Sequence, residues 1–295
     1  MIIARLKGGL GNQMFIYAFA RYLSCKHDTD LKLDITYYDN YHRKYELNKF
    51  NIIENFASED EINSLKKFVY KDGFIIRQLK QKLFKKNPKK IPSKTYILDS
   101  NIDFKQKYMF LPDNVYLEGL FQSEKFFKEI EEIIRKDFIL KNELDTENLK
   151  VLEAIKSTNS ISLHIRRGDY LTNSWAYEEL GICEADYYKK AMDYMKSKVE
   201  SPIFYVFSDD AEWVKNNFKM DFDFIFIDAN NEQSGENDLI LMSECNHHIC
   251  ANSSFSWWGA WLGKNQNKIV IAPEKWFKGN FFDYKDLVSE SWVKL

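Results

Sequence analysis

The run His164-Ile165-Arg166-Arg167-Gly168-Asp169 places an imidazole, two guanidiniums and a carboxylate at the end of a short apolar stretch. Ile161, Leu163 and Ile165 alternate with Ser162, His164 and Arg166, which is strand periodicity. His164 and Arg166 therefore share one face of that strand. Guanidiniums fixed where a strand stops suit phosphate, and the carboxyl edge of an open α/β sheet is where ligands sit. The plainer alternative is a solvated arginine pair at a turn.

Three further clusters can do chemistry. Gly8-Gly9-Leu10-Gly11-Asn12-Gln13 follows an apolar stretch and opens a helical one, so its backbone can approach a ligand and its helix start attracts anions. It is not a dinucleotide fingerprint, because Met14 takes the third glycine position, and no phosphate-loop motif occurs in the chain. Glycines needed only for a tight turn are the alternative. Ser208-Asp209-Asp210 ends a second apolar run. Either Ser208 or Asp209 can cap the next helix, and a carboxylate there can also accept from a guanine or a ribose. In Asn252-Ser253-Ser254-Phe255-Ser256-Trp257-Trp258, hydroxyls and amides at a helix start suit a pyrophosphate. Trp257, Trp258 and Trp261 read as core residues, and Gly259 and Ala260 as close-packing positions against the sheet. Asp28-x-Asp30 and Asp221-x-Asp223 read as turns. Cys245-Asn246-His247-His248-Ile249-Cys250 matches no standard zinc spacing.

The elements that must position these clusters follow from periodicity. The chain opens as strand (Ile2 to Leu6), glycine turn, helix (Asn12 to Lys26) and strand (Leu31 to Ile35), a βαβ start. Helices are predicted at Glu59 to Lys67, Phe74 to Phe84 and Gln122 to Phe138, with a strand at Val115 to Gly119. In the second half, strands at Ile161 to Ile165, Ile203 to Phe207, Phe224 to Ile227, His248 to Ala251 and Ile269 to Ala272 alternate with helices at Ala185 to Val199, Ala211 to Asn217, Glu236 to Cys245 and Ser256 to Gly263. That alternation predicts a parallel, doubly wound sheet with Arg166, Ser208-Asp209 and Asn252-Ser253-Ser254 along one edge. The expected domains are 1–150 and 151–295.

The chain has 295 residues, 45% hydrophobic, with a net charge of −2, which suits one large or two moderate domains and argues for no nucleic-acid partner. Arg77 to Lys90 carries seven basic residues and no acidic one. It reads as a solvated helix end or as a peripheral contact with an anionic membrane. The four cysteines form no CxxC pair and are expected to be reduced. Neither a membrane span nor a signal peptide is expected, and the expected compartment is the cytoplasm.

Taken together, Gly8-Gly9-Leu10-Gly11-Asn12-Gln13-Met14-Phe15, His164 to Tyr170, Phe207-Ser208-Asp209-Asp210 and Cys250 to Trp258 resemble bacterial α-1,2-fucosyltransferases of glycosyltransferase family 11, as does Gly119-x-Phe121-Gln122-Ser123-Glu124. The resemblance implies a GT-B-like architecture of two facing Rossmann-like domains. It also implies a donor, GDP-β-L-fucose, held mainly by the C-terminal one. The acceptor would be a terminal β-galactoside fucosylated at its 2-hydroxyl with inversion, without a metal or other cofactor, in surface polysaccharide or O-antigen assembly. Arg166 would stabilise the leaving phosphate, with His164 and Asp169 as its catalytic neighbours. Arg167, Ser208, Asp209, Asn252, Ser253, Ser254 and Phe255 would bind the donor, and Gly9, Gly11, Asn12 and Gln13 would form the acceptor-side loop. Asp169, beside two cations, is a poor base and is expected to be mainly structural. A fucosyltransferase of another linkage, or a noncatalytic nucleotide- or glycan-binding protein, is the alternative.

Overall fold

A computed structural model describes residues 1–70, 90–168, 174–217, 224–231, 234–279 and 284–295. The predicted helix at 74–84, nearly all of the basic run at 77–90, Asp169 and the Asp221/Asp223 pair lie outside them. The chain divides into two compact units, 1–48 with 52–137, and 49–51 with 138–295. The joint falls at Asp137/Phe138 rather than at residue 150.

The first unit is built on a four-stranded parallel sheet ordered β2-β1-β6-β5, with β1 Ile2–Arg5, β2 Leu31–Asp34, β5 Tyr96–Leu98 and β6 Val115–Glu118. An antiparallel pair, β3 Phe68–Tyr70 and β4 Lys90–Pro92, accompanies it. Helix α1, Leu10–His27, supplies the βαβ connection and ends on Asp28 in the left-handed conformation, so Asp28 is the turn residue expected. Met14 to Ala20 are all fully buried, as an apolar run with no polar stripe requires. Helix α2 is Glu59–Leu65, closed by a Ser58–Glu61 capping box. The predicted helix at Gln122 to Phe138 is instead two 3-10 turns, Glu124–Phe126 and Lys128–Ile130, and then α3, Glu131–Asp137. Adjacent Phe126 and Phe127 are both fully buried. Phe127 breaks the helix at φ −137°.

The second unit carries a six-stranded sheet in the order β12-β11-β10-β7-β8-β9, every neighbouring pair parallel. Its strands are β7 Asn159–Ile165, β8 Pro202–Ser208, β9 Phe224–Phe226, β10 His247–Ile249, β11 Val270–Ala272 and β12 Val293–Lys294. In chain order this is the doubly wound 3-2-1-4-5-6 arrangement, with its reversal point between β7 and β10. Helices α4 Thr146–Lys156, α5 Ser174–Glu179, α6 Ala185–Lys198, α7 Ala211–Asn217, α8 Gly235–Glu244 and α9 Ser254–Leu262 connect and cover it. Ile161, Leu163 and Ile165 pack with Tyr188, Met192 and Met195 of α6. The opposite face of the sheet, through Tyr205 and Phe207, meets Leu241 and Met242 of α8. Because both faces are covered, even Ser160, Ser162 and His164 are buried. Gly259 does allow a close approach, but to α8: a Cβ there would stand 2.9 Å from Met242 Cε. Residues 49–51 join this unit through a Phe50–Leu140 bridge and an edge-on contact of Phe50 with Phe138 at 5.9 Å. The class is therefore α/β and GT-B-like, with two parallel-sheet units.

Candidate active site

Strands β7 and β8 run in parallel register, with Ile165 opposite Ser208. One residue further on, Arg166 faces Asp209, and two further on Arg167 faces Asp210. Both ion pairs form, Arg166 Nη1 to Asp209 Oδ2 at 2.9 Å and Arg167 Nε to Asp210 Oδ2 at 3.4 Å. The other Asp209 oxygen accepts the Arg167 backbone N–H at 2.9 Å. A Cβ on Gly168 would overlap Asp209 Oδ2, so the glycine lets the carboxylate close on the turn. Arg167 also lies 3.5 Å from the centroid of the Trp213 ring, a guanidinium stacked on an aromatic face. Asp210 Oδ1 accepts the Trp213 N–H at 3.1 Å at the start of α7, and Ser208 Oγ accepts the Asp210 N–H at 3.0 Å. The helix-start bond is thus made by Asp210, which the sequence reading does not offer as a cap, with Ser208 bonded to its amide. Asp209 is turned toward Arg166 and the Arg167 amide.

His164 is 4% exposed, and its Nδ1 has no hydrogen-bond partner among the described residues. Its ring stands 5.5 Å from that of Phe255. Burial first, and the Arg166 charge second, push its pKa down to about 3, so the imidazole is neutral at ordinary pH and is no proton donor in the imidazolium form.

Strand β10 lies beside β7, with His248 opposite Ser162, so the segment after β10 reaches the sheet edge that carries Arg166. There Ser253 caps α9, its Oγ accepting the Phe255 N–H at 3.3 Å; both groups assigned to pyrophosphate are engaged with each other. Asn252 Nδ2 donates to the carbonyls of Leu180 and Gly181 at 3.0 and 3.1 Å, tying down a turn where Gly181 has φ +69°. Ser254, half-buried, opens the helix. Trp257 and Trp258 are fully buried, as expected. The Cys/His cluster does not assemble: Cys245 and Cys250 donate to the carbonyls of Leu241 and Ser256, His247 Nδ1 accepts the Ile269 N–H and His248 Nδ1 bonds Ser162.

In the first unit, Gly8 takes φ +75° and a Cβ there would meet Asn12 Nδ2 at 2.5 Å, so the loop requires glycine. Gln13 is fully buried. Its amide donates to the carbonyls of Gly8 and Lys44 and accepts the Glu46 N–H, so it straps the loop to the 44–46 segment. Gly11 is buried, Gly9 is the N-cap of α1, and a Cβ on Gly9 would approach Arg43 Nη1 at 3.2 Å. Asn12 Oδ1 accepts from Gln122 Nε2 at 2.6 Å. Sequence reasoning noticed Gln122 but gave it no role. It comes into place because Phe121 adopts φ 49° and folds its ring over Gly119, whose missing Cβ would be 2.7 Å away.

The family model for glycosyl transferase family 11 matches residues 1–295. The chain belongs to this family. It is 38% identical over 305 residues to an alpha-1,2-colitosyltransferase of Escherichia coli, covering 100% of this chain and 99% of that one. It is 34% identical to the O-antigen biosynthesis glycosyltransferase WbnK of Escherichia coli, covering 98% and 99%. A galactoside alpha-(1,2)-fucosyltransferase 1 of Saimiri boliviensis boliviensis is 31% identical over 154 residues, half of this chain and 42% of that protein. Among solved structures, the family 11 chain is similar to a NodZ alpha-1,6-fucosyltransferase soaked with GDP-fucose, at 14% identity and a TM-score of 0.47, covering 88% and 91%. It is also similar to Arabidopsis thaliana FUT1 in complex with GDP, at 10% identity and a TM-score of 0.49, covering 91% and 69%. No helix among the described residues is long and apolar enough to cross a membrane.

Proposed function

We propose that this family 11 glycosyltransferase moves L-fucose from GDP-β-L-fucose to the 2-hydroxyl of a terminal β-galactoside, with inversion and without a metal. Arg166 carries the reading: a half-buried guanidinium held at the reversal point of a doubly wound sheet. As the bond from the sugar's C1 to the β-phosphate oxygen breaks, the pair of electrons stays on phosphate and the ring becomes oxocarbenium-like. Arg166 stabilises that growing negative charge, and the galactose 2-oxygen bonds to C1 from the opposite face and gives up its proton to solvent water. A guanidinium already fixed in place does this without reorganising, and losing such a donor typically costs about 10²–10³ in rate. Ser253, Ser254 and the start of α9 take the pyrophosphate, and Arg167 and Asn252 hold their loops. His164, neutral, packs beneath Arg166. Asp169 serves the turn more than proton removal. The glycine loop with Asn12 is assigned to the acceptor side, and the basic run Arg77 to Lys90 to peripheral contact with the inner face of a membrane.

A second reading concerns the donor sugar. Identity to an alpha-1,2-colitosyltransferase along the whole chain favours colitose, which is fucose without its 3-hydroxyl, on the same nucleotide. The test is GDP release from GDP-L-fucose, and in parallel from GDP-colitose, with lactose and lacto-N-biose present and EDTA throughout. Acceptor-dependent release that Arg166→Ala cuts at least about a hundredfold, with an α-1,2 product by NMR, supports the function. The faster donor decides the sugar. GDP binding without release points to another acceptor or to a binding protein, and absence of GDP binding overturns the reading.

A further inference from the structure

We propose that Asp209 is a positioning residue that aims Arg166 at the phosphate, and that it does not read the nucleobase or ribose. The inference rests on the assignment of Arg166 to a nucleoside diphosphate. Three observations carry it. Both carboxylate oxygens are used inside the unit, Oδ2 on Arg166 Nη1 and Oδ1 on the Arg167 N–H, each at 2.9 Å. Those two bonds bridge the carboxyl ends of β7 and β8, so the direction of the Arg166 side chain is tied to the sheet. Gly168 lacks the Cβ that would push Asp209 away, and a carboxylate placed to face a ligand would not need that gap on its loop side. Arg167 is anchored separately, stacked on Trp213 and paired with Asp210. The two arginines therefore divide the work: Arg167 fixes the turn, and Asp209 holds Arg166 half-exposed beside it. The bond through Nη1 fixes the plane of the guanidinium, and with it the direction in which its N–H donors point.

The test is a double-mutant cycle on the full chain, Arg166→Ala, Asp209→Ala and the pair, reading affinity for GDP and GMP by calorimetry. Arg166→Ala should weaken GDP by about ten- to a hundredfold, the range for bonds to charged groups, and GMP little. Asp209→Ala should weaken GDP in the same way while leaving GMP unchanged, and the double variant should be no weaker than Arg166→Ala alone. Gly168→Ala, which displaces the carboxylate without removing a charge, should reproduce the loss, and serves as well if Asp209→Ala does not fold. Equal losses for GMP and GDP that add to those of Arg166→Ala would mean that Asp209 touches the nucleoside, and would overturn the inference. Unchanged GDP affinity in Asp209→Ala and Gly168→Ala would overturn it too. An intact chain that binds neither nucleotide would overturn the assignment of the site, and the inference with it; that result is read before any variant is made.

Discussion

His164 shows how a residue beside a cation can matter through the charge it does not carry. Its folded pKa, about 3, lies below the ordinary imidazole value because of burial and then Arg166. His248 is likewise pushed well down by burial. A depressed histidine pKa means that the unfolded chain binds the proton more tightly, so stability falls as pH drops below about 6.5 and keeps falling toward the folded value. The penalty for His164 alone is of order several kcal/mol at the acid end. We expect His164→Gln to lose less stability than the intact chain between pH 7 and pH 4.5 in urea unfolding. A parallel loss in both proteins would contradict the buried neutral imidazole. Turnover by the intact chain should show no inflection from this histidine near neutrality.

At the scale of elements, the strand carrying His164 and Arg166 was legible because its alternation is local. The parallel, doubly wound class was legible as well, since strands and helices alternate at regular spacing through the second half, whereas the sixth strand, β12, was not. The register of β7 against β8 was not, and it is the register that sets Arg166 against Asp209 and Arg167 against Asp210. Parallel pairing depends on contacts some forty residues apart, about which neither strand's own pattern says anything. The same holds for Asn12 and Gln122, and for the break in the predicted helix at Phe127. Gln13 has a polar side chain that suggests a ligand, but the fold spends it on its own backbone. For the β7–β8 turn we expect Arg167→Lys to lower the unfolding free energy by roughly 1 kcal/mol, because an ammonium keeps the charge near Asp210 but loses the flat stacking on Trp213. A drop in Tm of a few degrees by calorimetry, with Arg166 untouched, would agree; an unchanged Tm would mean that Trp213 contributes nothing.

At the scale of the whole molecule, family membership extends over the full chain, yet the two units are not two consecutive stretches of it. Residues 49–51 belong to the second unit, where Phe50 is fully buried against Phe138 and Lys49 Nζ pairs with Glu236 at 2.6 Å. A fragment of residues 138–295 therefore begins without one of its own core rings. Deleting a buried phenylalanine typically costs about 3–5 kcal/mol, so the fragment should show weaker, less cooperative unfolding by tryptophan fluorescence than the same fragment supplied with a 47–53 peptide. Equal cooperativity with and without the peptide would show that the insert is dispensable. The consequence reaches chimaeras between family 11 relatives. A second unit transplanted at the Asp137/Phe138 joint leaves residues 49–51 behind in its parent chain. Exchanges of that unit should give cooperatively folded chimaeras only when codons 49–51 travel with it.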